Sequence, residues 1–142
     1  PRGWSTWSRN PSRTRFEMIG GKGRNGSVAA AITGADSGVF IQDHKVRPGE
    51  KYLVIAWAKP EPAAEPYGVT LSVRFRDEKG AWHARRDLEP TVTAAGENWQ
   101  PLVVLVTVPE GTGSLLVMPG ASGQGEDARV LFDDVGLFRF EG

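Results

Sequence analysis

Short runs of alternating apolar and polar residues follow one another along most of this chain. In residues 68–77 every second position is apolar: Val69, Leu71, Val73 and Phe75 alternate with Thr70, Ser72, Arg74 and Arg76. Such alternation is typical of a strand with one buried face. Similar runs lie at 3–7, 14–19, 27–34, 38–46, 50–59, 81–88, 97–111, 113–120 and 128–140. No segment has an apolar stripe of helical period, so the pattern predicts an all-β chain, an antiparallel β-sandwich of about eight or nine strands.

The last of these runs carries two adjacent acidic residues. Strict alternation through residues 131–137 places Leu131 and Asp133 on one face, and Phe132 and Asp134 on the other. Two carboxylates on opposite faces cannot flank one glycosidic bond, which argues against a glycosidase pair. A carboxylate inside a strand still needs a partner. Two partners remain open for Asp133: a structural calcium ion shared with loop oxygens near Asn25, or a salt bridge or hydrogen bonds to the loop backbone.

Composition narrows the class of protein. The 142 residues and 15.4 kDa fit one domain, residues 1–142. Seventeen basic and 17 acidic residues cancel, which disfavours a sequence-independent nucleic-acid binder. There is no cysteine, and no apolar stretch approaches the roughly 20 residues of a membrane span. Because the chain begins with Pro1, we expect it to be a processed product or a segment excised from a larger protein. The lack of cysteine fits a secreted bacterial domain as well as a cytosolic one, and the acidic pair in the last strand favours an extracellular module.

The sequence contains no complete motif for catalysis or nucleotide binding. Residues 21–26 match G-x-G-x-x-G, but no helix follows to receive a pyrophosphate. The two histidines, His44 and His83, lie in separate strand-like segments without a nucleophile motif or clustered metal donors. We therefore expect a protein that is not itself an enzyme.

Aromatic residues supply the remaining signal, because sugar rings stack on flat aromatic faces while charged groups bind hydroxyls. Trp57 alternates with buried positions in residues 50–59. If it shares an outer face with the following strand, a polar and aromatic groove results. The groove would comprise Trp57, Ser72, Arg74 and Arg76, with Tyr67 and Trp82 at its rim. Trp57 packed against a loop or another domain is the alternative. Trp4 and Trp7 have odd spacing and do not share a strand face, so we expect one to cap the sandwich and the other to be loose or to face a partner.

Several motifs occur in the order seen in one group of proteins. They are Gly3-Trp4, the turn at 23–27, the segments 46–59, 99–104 and 106–111, and Leu-Phe-Asp-Asp-Val-Gly-Leu at 131–137. The set resembles the jelly-roll carbohydrate-binding modules of families four, nine and twenty-two, within the galactose-binding-like group. The resemblance implies a non-catalytic module of a secreted glycoside hydrolase or polysaccharide lyase, binding polysaccharide or oligosaccharide. It also implies sugar stacking on Trp57 and a structural calcium at Asp133.

Two further expectations follow from the outer positions. The arginines of residues 68–77 leave room for acidic glycans, since guanidinium groups suit uronates and sulfates. The competing hypothesis is a structural module without glycan affinity. In it, the face of Leu53, Ile55 and Trp57 packs against a catalytic domain of the same polypeptide.

Overall fold

The computed structural model describes residues 3–141, which form two antiparallel five-stranded sheets. The strands are β1 Trp4–Ser8, β2 Arg15–Ile19, β3 Ala29–Thr33, β4 Ser37–Lys45, β5 Lys51–Pro60, β6 Gly68–Asp77, β7 Thr91–Thr93, β8 Gln100–Thr107, β9 Thr112–Ser122 and β10 Arg129–Phe140. The first sheet has the order β1-β4-β9-β6-β7 and the second the order β2-β3-β10-β5-β8. A single 3-10 turn at Arg86–Leu88 is the one helical element in the described part of the chain. The all-β jelly-roll sandwich predicted from the sequence is confirmed, with ten strands in the described residues where about eight or nine were predicted.

The core lies between the two sheets and is built from the alternation seen in the sequence. The inward positions of β5 and β6 are buried throughout, with Val54, Leu71 and Phe75 fully inaccessible. On β8 the inward residues are Leu102, Val104 and Val106. Burial of these side chains provides the main stabilisation of a sandwich of this kind. Within residues 3–141, no helix is long and apolar enough to cross a membrane.

Two segments differ from the strands that the alternation in the sequence predicts. Residues 81–88, expected to be a strand, contain only an isolated bridge and the 3-10 turn, because hairpin and turn hydrogen bonds organise this segment. In β10 the pairing with β5 shifts between Asp133 and Gly136 at a bulge, where Asp134 has a φ of 49°. The bulge reverses the alternation, so that Phe132 and Leu137 both pack on the core. The prediction of one unbroken alternation through residues 131–137 was therefore wrong.

The topology also determines that the outward side chains of β5 and β6 do not lie on one common face. The strands β5 and β6 are consecutive in sequence, yet β5 lies in the second sheet and β6 in the first. Their outward side chains therefore point away from each other on opposite sides of the molecule.

Candidate functional site

Polar and aromatic side chains collect on the outer face of the first sheet. Arg74 and Arg76 alternate with the buried Val73 and Phe75 of β6, so both point outward. Trp82 forms an antiparallel bridge with Arg76 beyond the end of β7. The two guanidinium carbons lie 3.8 Å (Arg74) and 4.7 Å (Arg76) from the centre of the Trp82 ring. These cation–π contacts fix the indole while 46% of Trp82 stays exposed.

A tight turn places Trp82 at this position. The Asp77 carboxylate accepts hydrogen bonds from the backbone N–H groups of Lys79 at 2.9 Å and Ala81 at 3.0 Å. Gly80 takes a φ of 86° and donates its N–H to the Asp77 carbonyl. Aspartate followed by glycine at a positive φ is a strong turn former. The turn therefore reverses the chain so that Trp82 comes level with Arg76.

A buried carboxylate lies beneath the arginines. The Glu89 side chain is only 5% exposed, and its Oε2 accepts a 2.8 Å hydrogen bond from the Phe75 N–H. Its Oε1 is 3.5 Å from Nε of Arg74 and 2.8 Å from Nε of Arg86, and accepts no hydrogen bond. Both contacts are thus ionic. Because the Arg74 side chain is 21% exposed and that of Arg86 is 68% exposed, the Arg74 pair is the better shielded one.

Toward β1 and β4, the outer face of the first sheet is apolar. Trp7 lies on the edge strand β1 opposite Val39 and is 51% exposed. Together with β4, β9 and β6 it encloses a groove of about 490 Å³. The groove is lined by Trp7, Ser37, Val39, Ile41, Arg74, Arg76, Trp82 and Met118. We refer to this as the first-sheet groove.

The register shows that the first-sheet groove is long. Trp7 lies level with Val39, Gly120 and Thr70 across three strand pairings, whereas Trp82 is level with Arg76. At about 4.8 Å per strand and about 3.3 Å per residue, their backbones are about 19 Å apart across the sheet and about 20 Å along it. The two indoles thus stand at opposite corners of a diagonal trough, which suits an extended ligand.

Four of the six predicted ligand-binding residues come together on this face. Arg74, Arg76 and Trp82 line the groove, and Ser72 lies on the same strand face with its hydroxyl 3.0 Å from that of Thr91. The expected arrangement with Trp57 does not form, because β5 belongs to the other sheet. The ligand-binding role of each residue stays a prediction.

Tyr67 is also away from the groove. Its hydroxyl lies 2.8 Å from the carbonyl oxygen of Glu61 and 2.6 Å from that of Arg129. Burial, followed by the nearby Glu61 carboxylate, raises the pKa of Tyr67 to about 12. The ring packs on the core, so Tyr67 anchors the proline-rich loop to the second sheet and does not form a rim.

Trp57 is on the outer face of the second sheet, where a loop covers it. The guanidinium carbon of Arg24 lies 3.3 Å from the centre of the Trp57 ring, and Nη1 of Arg24 pairs with Asp134 at 2.8 Å. Trp57 is also the register partner of Asp133. Trp57 therefore packs against a loop, which is the alternative that the sequence left open.

The same loop binds Asp133. Its Oδ2 accepts hydrogen bonds from the Arg24 N–H at 2.9 Å and the Ser27 hydroxyl at 3.2 Å, and its Oδ1 accepts one from the Asp134 N–H at 2.8 Å. Hydrogen donors thus face both oxygens, and a guanidinium lies beside them. Within residues 3–141, no three His, Cys, Asp or Glu side chains form a group able to hold a metal. The residues at Asp133 do not fit calcium, which prefers several oxygen ligands.

Sequence reasoning missed the aromatic residue Trp7 in the groove lining, the buried Glu89 beneath the arginines, and the apolar lining from β4 and β9. Trp7 was known only to have a different orientation from Trp4, which packs edge-on against Phe40 with ring centres 6.3 Å apart. Glu89 carried no signal, because a single glutamate before a proline resembles any loop residue. If the strand order had been known, the outward positions of β4 and β9 would have predicted the apolar part of the groove lining.

The second sheet carries a different outer surface. Its exposed apolar side chains are Leu105 at 64%, Phe138 at 59%, Val103 at 42% and Phe140 at 38%. The register places Leu53 between Leu105 and Phe138, and Ile55 beside Val103. These six residues form a continuous patch across three strands, which we call the apolar face. Patches of this kind mark contact surfaces in many proteins.

Comparison with known proteins shows which solved structures have a similar fold. No protein-family model matches the chain, and no curated protein matches it. Among solved structures, the enzymatically active domain of tailspike protein 4 from bacteriophage CBA120 has a TM-score of 0.76 at 14% identity, covering 98% of this chain and 20% of that one. The Clostridium thermocellum endo-1,4-β-D-xylanase 10B, as its CBM22-1 and GH10 modules complexed with xylohexaose, has a TM-score of 0.71 at 17% identity, covering 98% and 26%.

A third similar structure is a separate module. The CBM22-1 xylan-binding domain of Paenibacillus barcinonensis Xyn10C has a TM-score of 0.71 at 16% identity and covers 99% of this chain and 88% of that one. The present chain thus spans only a fifth to a quarter of the first two proteins, but nearly all of this module. Further similar structures are modules of families 4, 16 and 61. The chain has the jelly-roll fold that these carbohydrate-binding modules share, which confirms the resemblance to families four and twenty-two.

Proposed function

We propose that this chain is a non-catalytic carbohydrate-binding module that holds an extended glycan in the first-sheet groove. The observation that carries the proposal is the pair of half-exposed indoles, Trp7 and Trp82, at opposite ends of one trough. Stacking on both indoles would hold the sugar rings, while Arg74 and Arg76 donate hydrogen bonds to the hydroxyls between them. No bond is made or broken in this mechanism.

The comparisons support the proposal through proteins of the same fold. One of them is a xylan-binding domain, one is complexed with xylohexaose and one is in complex with β-1,4-galactotriose. By analogy, we place the module in a secreted bacterial polysaccharide-active protein that carries a catalytic domain in the same polypeptide. That placement rests on the resemblance and on the mixed architecture of the xylanase.

Affinity electrophoresis against a panel of neutral and acidic polysaccharides tests the function. We expect at least one polymer to retard the domain. Trp7→Ala and Trp82→Ala should each weaken binding about tenfold, since a stacked aromatic contributes on the order of 1 kcal/mol beyond its buried area. Trp57→Phe, which alters an indole on the opposite side, is the matched control and should bind as the wild type does. Migration unaffected by every polymer would refute the proposed function.

A second candidate function is supported by the apolar face. Six apolar side chains of the second sheet lie together on the side opposite the groove, and four of them are exposed. This arrangement favours docking of a neighbouring domain of the same polypeptide. Slower amide hydrogen exchange on β8 in the intact polypeptide than in the isolated domain would support docking. Equal exchange would argue against it.

A further inference from the structure

We propose, resting on the proposed function, that the first-sheet groove selects glycans that carry carboxylates, and that Arg76 is the residue that binds the uronate.

The lining of the groove is cationic. Among the described residues that line it, two are arginines and none is acidic; the remainder are apolar, aromatic or serine. Asp43 points outward on β4, but it lies two strands from Arg74, across Leu116, and outside the lining. A neutral sugar does not need a positively charged groove, whereas an anionic one is attracted to it.

The two arginines are not equivalent. Arg74 has its charge matched by the buried Glu89 carboxylate and is largely covered. Within residues 3–141, Arg76 forms no ion pair, and the nearby Asp77 carboxylate is engaged by backbone N–H groups of the turn. Its guanidinium carbon lies 4.7 Å from the centre of the Trp82 ring. Arg76 therefore brings an uncompensated positive charge to the groove.

The geometry suits a carboxylate in particular. A sugar stacked on the exposed part of Trp82 brings its ring substituents next to the Arg76 guanidinium. A guanidinium binds a carboxylate through two parallel hydrogen bonds, and such charge-assisted bonds are about twice as strong as neutral ones. A hydroxymethyl group at the same sugar carbon offers one neutral partner. We therefore expect a uronate to bind about tenfold more tightly than the matching neutral sugar.

Calorimetric titration with matched pairs of oligosaccharides tests this inference. The pairs are β-1,4-glucan and its C6-oxidised form, xylan and glucuronoxylan, and β-1,4-galactan and its C6-oxidised form. For whichever backbone binds, the carboxylated member should bind about tenfold more tightly at low salt, and the difference should shrink at high salt. A sulfated form of the same backbone that binds more tightly than the carboxylated one would overturn the assignment to uronates.

Variants separate a carboxylate-binding role from a merely supportive one. Arg76→Gln should bring the ratio of acidic to neutral affinity close to one, while neutral binding falls little. Arg76→Lys should keep part of the preference, since it keeps the charge but loses the fork. Arg15→Gln, which removes a more exposed arginine charge from the second sheet, should leave the ratio unchanged.

The outcomes distinguish this inference from the proposed function. If neutral members bind as tightly as acidic ones, or if Arg76→Gln weakens both equally, the uronate preference is wrong and the carbohydrate-binding function stands. If no oligosaccharide of the panel binds, both fail.

Discussion

Replacing Glu89 removes the one buried carboxylate beneath the groove arginines. Two substitutions separate its contacts. Glu89→Gln keeps an oxygen for the Phe75 N–H but abolishes the ionic contacts with Arg74 and Arg86. Glu89→Ala removes the hydrogen-bond acceptor as well. The difference between the two variants therefore isolates the hydrogen bond to the strand from the charge pairing.

The expected magnitudes follow from burial. The pair with Arg86 contributes less than about 0.5 kcal/mol, because that side chain is mostly exposed. Leaving the better-buried Arg74 without its counterion costs about 1–2 kcal/mol, below the 3–5 kcal/mol of a fully buried pair. An unpaired Phe75 N–H adds about 1–3 kcal/mol. We thus expect a loss of about 1–2 kcal/mol for Glu89→Gln and about 3–4 kcal/mol for Glu89→Ala.

Urea unfolding followed by tryptophan fluorescence measures these free energies of unfolding. Glu17→Gln, which removes a half-exposed carboxylate 3.8 Å from Arg15, is the control and should cost less than about 0.5 kcal/mol. Glu89→Gln should also weaken glycan binding several-fold, since Arg74 and the Trp82 ring lose their fixed placement. Losses below about 0.5 kcal/mol in both Glu89 variants would refute the idea that this carboxylate anchors the groove.

Three further predictions concern the loop anchor, the acidic bulge and the ligand. The pKa of Tyr67 is raised from 10.0 to about 12, so its contribution to stability is complete below pH 10 and is lost as pH rises through 12. In alkaline melting curves, Tyr67→Phe should reduce that loss by about 1 kcal/mol, discounted for partial exposure, and an unchanged loss would contradict the assignment. A chelator should leave the melting temperature unchanged while Asp133→Ala lowers it; a fall on chelation would establish a bound metal. Affinity should rise with oligosaccharide length until the groove is filled, and equal affinity for a disaccharide and a hexasaccharide would contradict an extended site.

Much of the fold was readable from the sequence because period-two alternation reports which side chains face inward. The buried set of β6 was predicted on that basis and is observed. Alternation reports which side chains face outward, but it does not report which sheet a strand joins. Trp57 and Arg74 were therefore both predicted to face outward, which is correct, and on the same side, which is not.

The bulge in β10 shows a second limit. One extra residue between Asp133 and Gly136 reverses the alternation, and the sequence gives no steric signal for it apart from two adjacent aspartates. The loop that covers Trp57 was equally hidden, because it depends on contacts about 110 residues apart in the chain, between Arg24 and Asp134. Long-range contacts of this kind are set by topology and not by local pattern.

The most direct test of the glycan-binding groove uses the indole N–H signals of the five tryptophans in a two-dimensional NMR titration. Single Trp→Phe variants assign the signals, and a polysaccharide fragment that retards the domain serves as ligand. The signals of Trp7 and Trp82 should shift on binding, while those of Trp4, Trp57 and Trp99 stay in place. Shifts confined to Trp57, or none at Trp7 and Trp82, would contradict the location of the site.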